Sequence, residues 1–189
     1  MKSMKERISV ICVVLILLCS LSSVAFSSGT GTADNIISFG RLKIEIMNHT
    51  VDENGEEVSV TTEEEKLTGN KVSRIVKIKN VCRHPMYVRV KIEFKGEDNQ
   101  GKFPAEEYVS FEDPSGEWLK QDGWYYYRER LEPEQETGNL LEELYFDLDR
   151  LMTDHAGRKI DFSVSAQAVQ SENNGMTAET AGGWPQEAE

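Results

Sequence analysis

Histidine and cysteine are both scarce in this chain, three of each in 189 residues, and that scarcity removes several kinds of chemistry. Three cysteines cannot staple a disulfide-framework domain. The histidines are scattered as His49, His84 and His155, and none has a partner at the spacing of a helical His-Glu-x-x-His zinc site. Each reads as an ordinary loop or strand-edge residue, so no metal and no cofactor is expected. Positive charge is short as well: 21 Lys and Arg face 33 Asp and Glu, a net charge of −12. A chain this acidic, with pI near 4.8, is a poor partner for nucleic acid or an anionic lipid surface. Fixed-period repeats, a Leu-Pro-x-Thr-Gly sorting motif and a C-terminal apolar span are all missing. What remains suits one domain: 39% hydrophobic and 8% aromatic residues can build a core.

The one long hydrophobic run stands at the start. Lys2, Lys5 and Arg7 precede an apolar stretch from Ile8 to Leu21, and Ser23-Val24-Ala25 then supplies small residues at the −3 and −1 positions of a cleavage site. This is the layout of a secretory signal peptide over residues 1–25, cut after Ala25, with Gly31-Thr32-Ala33 offering an alternative cut after Ala33. A lipoprotein anchor is excluded because bulky Leu18 precedes Cys19. Removal of residues 1–25 takes away Lys2, Lys5, Arg7 and Glu6, leaving 164 residues with a net charge of −14. Cys82 then remains alone, so no internal disulfide forms and packing must supply the stability. The expected product is secreted, with no stable membrane anchor after cleavage.

Period-two alternation dominates the rest. Leu42, Ile44 and Ile46 alternate with Arg41, Lys43 and Glu45, and Val76 and Ile78 with Lys77 and Lys79. Val88, Val90, Ile92 and Phe94 are interleaved with Arg89, Lys91 and Glu93, and Ile160 to Ala168 repeats the pattern. Successive side chains of a strand project to opposite faces, so these are half-buried strands. Weaker strands are expected at 57–61, 107–111, 124–131 and 144–148, with a helical turn at 140–143 or 150–153. Turn signals such as Asp52-Glu53-Asn54-Gly55 and Asp113-Pro114-Ser115-Gly116 separate them. The pattern predicts an all-β fold, a jelly-roll-like antiparallel β-sandwich of about seven to nine strands over residues 26–170. Residues 26–38 read as a flexible N-terminal segment, and 171–189 as a polar mobile tail with a short helix near Met176–Thr180.

Candidate chemistry is thin. Cys82 and His84 share a face of an extended stretch held by Pro85, but no small-residue setting for an oxyanion hole accompanies them, and Cys82 reads as structural. The acidic run Asp52 to Glu65 mimics only the start of an EF-hand loop, because Gly55 arrives two positions early. Asn48-His49-Thr50 is a glycosylation sequon that matters only in a eukaryotic host. Trp118 and the row Trp124, Tyr125, Tyr126, Tyr127 are candidate surface aromatics for a sugar or a host protein, against the plainer reading as strand packing. Alternation puts Trp124 and Tyr126 on one face and Tyr125 and Tyr127 on the other. No enzyme signature survives.

Four stretches, taken in order, carry a resemblance. Asn35 to Ile44 resembles the first strand of the TasA/camelysin family of exported Gram-positive proteins, and Val81 to Phe94 its middle strand. Trp118-Leu119-Lys120, Gly123 to Tyr127 and Leu131-Glu132-Pro133 are similar to its tryptophan, tyrosine-run and Leu-x-Pro segment, and Ile160 to Gln170 to its closing strand. Gln135 departs from the family, standing where a glycine is common, and Gly31-Thr32-Ala33-Asp34 is a shortened form of the usual signal-end motif. The resemblance implies a jelly roll, processing by a SipW-type signal peptidase, and self-assembly into biofilm-matrix fibres, with other matrix components as further partners. Subunits of the family join head to tail by inserting an N-terminal segment into a neighbour's sheet, which would make Ile36, Ile37 and Phe39 the donor contacts. Two other roles stand beside it: a monomeric binding module using the aromatic row, and the metallopeptidase label that some members carry, for which the sequence offers no residues.

Overall fold

The computed structural model describes residues 25–28, 36–39, 42–60, 65–67, 69–155 and 158–185. Residues 1–24 of the expected signal, the alternative cleavage residue Ala33 and the final residues 186–189 lie outside them. The strands are β1 (Ala25–Ser28), β2 (Ile36–Phe39), β3 (Leu42–Val51), β4 (Glu57–Ser59), β5 (Glu65–Lys66), β6 (Lys71–Asn80) and β7 (Met86–Asp98). They continue with β8 (Gly101–Pro104), β9 (Val109–Ser110), β10 (Trp118–Gln121), β11 (Trp124–Tyr127), β12 (Leu141–Phe146) and β13 (Lys159–Gln170). Among the described residues one helix, α1 (Leu148–Asp154), precedes β13, and short 3₁₀ turns occur at Ala105–Glu107 and Ala178–Thr180.

These strands form an all-β sandwich. One sheet runs β10-β11-β7-β13-β1-β5 with β8 on β7, and the other runs β2-β3-β6-β12-β9 with β4 on β3. Pairing is antiparallel throughout except for β1, which lies parallel to β13. The thirteen strands among the described residues exceed the expected seven to nine because β1, β2, β4, β5, β8, β9, β10 and β11 are pieces of two to four residues. Strands this short carry too few residues to show a period.

The spine is β7 against β13, in unbroken register from Met86↔Gln170 to Lys159↔Glu97. Met86, Val88, Val90 and Phe94 from β7 meet Ile160, Phe162, Ala166 and Ala168 from β13 on the inner face, and all are buried. Opposite them, β3 and β6 contribute Ile44, Ile46, Val72, Val76 and Ile78. Burial at roughly 25 cal/mol per Å² of apolar surface makes this interior the main source of stability. The expected helical turn at 140–143 is instead the start of β12, because Leu140, Leu141 and Leu144 are all buried in the core. The turn at 150–153 lies inside α1, where Asp147 caps the first turn by accepting from the Arg150 N–H and Leu151 plugs into the core. Residues 107–111 are less strand than expected: a 3₁₀ turn leads into the two-residue β9. After Leu131-Glu132-Pro133 the left-handed residue is Glu134, at φ 62°. Gln135 therefore needs no glycine freedom, and its Oε1 accepts the Glu132 N–H at 2.9 Å.

The C-terminal tail differs from expectation. Residues 171–185 are packed as a strap across the outer face of β7, β11 and β13, where Ala178, Ala181 and Trp184 join Tyr87, Trp124, Tyr126 and Val169. Asn174 ties the strap to itself: its Nδ2 donates to the carbonyls of Gln170 (2.8 Å) and Gly182 (3.0 Å), and its Oδ1 accepts the Gly182 N–H (2.8 Å). Ala178, Ala181 and Trp184 do this docking at intervals of three, which is not the alternation of a strand, and a mostly polar composition around them concealed it.

Candidate functional site

The candidate surface aromatics are interior residues. Trp118, Trp124, Tyr126 and Tyr127 are 4–7% exposed, and Tyr125 is half-buried. The expected division of faces holds: Trp118 and Tyr127 belong to the cluster between the sheets, whereas Trp124 and Tyr126 face outward beneath the strap. The indole N–H of Trp118 donates to the Gly138 carbonyl at 3.2 Å. Burial lifts the Tyr127 phenol above its ordinary range, helped by the nearby Glu117 carboxylate. An exposed stacking row for sugars is therefore absent, because the second layer of chain from residues 171–185 covers the outward pair.

At the centre of that covered face sits Arg89. Its guanidinium lies over the Trp124 ring, 4.1 Å from the centroid, and over that of Trp184, 4.6 Å from the centroid. Nε and Nη2 both donate to Gln167 Oε1, at 2.9 and 2.7 Å, and Nη1 donates to the Tyr126 hydroxyl at 3.0 Å. A planar cation over indole rings is electrostatically favourable. Sequence reading missed this cluster. Arg89 and Gln167 are register partners on β7 and β13, a fact that no single-strand pattern carries, though a lone Trp184 in a polar tail was a signal to follow.

A second polar cluster was also missed. His155, just past α1, has Nδ1 2.6 Å from Asp98 Oδ2 at the end of β7. The His155 ring stacks on Phe103 at 3.6 Å and meets Tyr108 edge-on at 5.4 Å. The Tyr108 hydroxyl in turn donates to Asp154 Oδ2 at 3.1 Å. The imidazole, with the N–H groups of Gln100 and Gly101, holds the Asp98 carboxyl below its usual range. Phe103 sits directly over Gly96, where any Cβ would fall 2.3 Å from the ring. A cleft of about 650 Å³ opens beside this hairpin, lined by Phe94, Gly96, Lys102, Phe103 and Asp161 among others. The His–Asp pair has the geometry of a base and its orienter, but no serine, threonine or cysteine hydroxyl or thiol bonds to this imidazole among the described residues.

The remaining candidates resolve into local structure. Cys82 Sγ bonds the backbone of His84 and not its ring, with the His84 N–H 3.4 Å away. Asn80 builds that turn: its Oδ1 accepts the Cys82 N–H and its Nδ2 donates to the carbonyls of His84 and Leu131. In the acidic run, Asp52 accepts the N–H groups of Glu56 and Asn54, which lowers its carboxyl from the usual value. Glu57 lies between His49 (3.3 Å) and Lys77 (3.4 Å). No group of three His, Cys, Asp or Glu among the described residues is arranged to hold a metal ion. Asn48, the sequon residue, is 3% exposed on the inner face of β3, out of reach of a glycosyl carrier.

The N-terminal strands occupy two different sheets. Ile36, Ile37 and Phe39 lie in β2, an edge strand paired with β3 of the same chain through Ile36↔Glu45, Ile37↔Ile44 and Phe39↔Leu42. Ala25, the expected cleavage residue, is the first residue of β1, which runs beside β13 in the register Ala25↔Lys159 to Ser28↔Phe162. On its other side, among the described residues, β1 carries β5 through two residue pairs. Taking β1 away would therefore open the free edge of β13. Compared with protein-family models, with curated protein sequences and with solved structures, the chain matches none.

Proposed function

We propose that this protein is a secreted, non-catalytic structural subunit that assembles head to tail into extracellular fibres by exchanging its N-terminal strand. The observation that carries this reading is β1, a strand parallel to β13 and inserted between β13 and β5. Its place is defined by backbone pairing with β13, and the β1 of another copy would make the same pairs. Within one chain the short connection gives β1 a high effective concentration at its own β13. At high subunit concentration the same contacts can form between chains, and a strand passed from each subunit to the next generates an open filament instead of a closed ring.

Export fits this scheme. A cut after Ala25 makes Phe26 the first residue, so the arm is freed at the end that inserts. The attached signal would otherwise hang a basic and apolar segment from the strand. In this arrangement Ile36, Ile37 and Phe39 secure the base of the arm on β3, and β1 crosses to the neighbour. The resemblance to the TasA/camelysin family supports the same reading, with a SipW-type peptidase as the processing partner and other matrix components as neighbours. Electron microscopy of the secreted form over time tests it against a variant lacking residues 26–35. Fibres are expected from the first, and a folded, persistent monomer from the second. Fibres from the truncated protein would overturn the exchange.

A further inference from the structure

The dipeptide Asn-Gly occurs twice in the chain, at Asn54-Gly55 and at Asn174-Gly175. Asparagine before glycine is the sequence most prone to spontaneous deamidation, because no Cβ on the next residue hinders ring closure. The second occurrence coincides with the side chain that closes the C-terminal strap. We propose that Asn174-Gly175 is a deamidation site whose conversion opens the strap and uncovers the aromatic face beneath it.

The chemistry needs only water. The backbone nitrogen of Gly175 attacks Asn174 Cγ and forms a five-membered imide. The Cγ–Nδ2 bond breaks, and ammonia departs carrying the proton that the backbone nitrogen gave up. Water then adds to one of the two imide carbonyls and reopens the ring as aspartate or, through the other carbonyl, isoaspartate. One water is consumed and one ammonia released, with no change of oxidation state.

The consequence follows from the three hydrogen bonds of Asn174. Two of them are donated by Nδ2, to Gln170 O at 2.8 Å and Gly182 O at 3.0 Å. A carboxylate has no donor, so both contacts become repulsions between an anion and a carbonyl oxygen. Isoaspartate also adds a methylene to the main chain beside the left-handed residues Asn173 (φ 56°) and Gly175 (φ 73°). Gln170 ends β13, and Gly182 stands two residues before Trp184, so the two broken ties are those that close the turn bringing Trp184 back over the sheet. Its release withdraws Trp184 from Arg89 and exposes Tyr87, Trp124, Tyr126 and Val169. The hydrogen bonds of the closed strap hold the amide in place, so the folded chain converts more slowly at this site than the urea-unfolded chain. Asn54 lies in an exposed turn, where its Nδ2 donates a single hydrogen bond to Asp52 Oδ2 at 3.2 Å, and serves as an internal clock.

The test ages the full secreted chain in mildly alkaline buffer and maps the amide-to-acid mass change by peptide mass spectrometry. Amide hydrogen exchange is read on the acidic fraction separated by ion exchange and, in parallel, on Asn174→Asp. Conversion at residue 174, with exchange protection of 176–184 reduced about tenfold or more while β7 and β13 keep theirs, is the expected result. Two results would overturn the proposal. One is residue 174 still fully amidated in the folded chain after ageing many times longer than Asn54 needs to convert fully. The other is a converted fraction whose strap stays as protected as in fresh protein, a reading that holds even if Asn174→Asp fails to fold.

Discussion

Arg89→Ala tests the idea that the outer face is fastened by one cation. The substitution removes a guanidinium stacked 4.1 and 4.6 Å from two indole centroids and three hydrogen bonds, two to Gln167 and one to Tyr126. Cation–π contacts at partly exposed sites contribute about 0.5–1 kcal/mol each. Hydrogen bonds to a charged group contribute about 1.5–3 kcal/mol in favourable cases, and less where solvent screens them. These contributions overlap, so we expect a loss of about 2–3 kcal/mol and a fall in Tm of about 5–10 °C for a domain of this size. Arg89→Lys keeps the charge but not the planar fork, and should recover less than about 1 kcal/mol. Urea unfolding followed by tryptophan fluorescence measures both, since Trp124 and Trp184 flank the site. A double-mutant cycle with Trp184→Ala should return a coupling of about 1 kcal/mol. A cost below about 0.5 kcal/mol for Arg89→Ala, or full rescue by lysine, would refute the fastening role.

Three further outcomes are expected. Asp98 is held below its ordinary carboxyl range chiefly by His155. Its stabilisation is therefore present above about pH 4 and is lost as pH falls through the lowered value. Asp98→Asn should flatten the acid limb of a stability–pH curve, and unchanged slopes would contradict this. Gly96→Ala puts a Cβ 2.3 Å from the Phe103 ring and should destabilise by about 1–3 kcal/mol. That cost should shrink when Phe103 is truncated to alanine in the same chain, as denaturant titration of the pair will show. Asn48 buries both side-chain polar atoms on the inner face without a partner among the described residues, so Asn48→Leu should raise stability by about 1 kcal/mol. A comparable loss on calorimetric unfolding would mean that the amide is satisfied after all.

The four long strands were legible in the sequence because each alternates for at least four residues against a dry interior. Their register was not, and register is what brings Arg89 to Gln167 and Lys159 to Ala25. The candidate sites divide the same way. The sequence by itself set two faces for the row Trp124 to Tyr127, since side chains of a strand must alternate. Whether the outward pair meets water depended on a strap whose three apolar residues, three apart in a polar stretch, do not alternate as a strand's do. Tyr87 and Val169 make the point: they sit out of phase with the inner-face residues of their strands, yet are 6% exposed. Local pattern determined the strands and their faces, because those depend on neighbours in the chain. Tertiary structure decided which face stays dry, where β1 inserts and which cation closes the stack, because each of these depends on residues brought together only by folding.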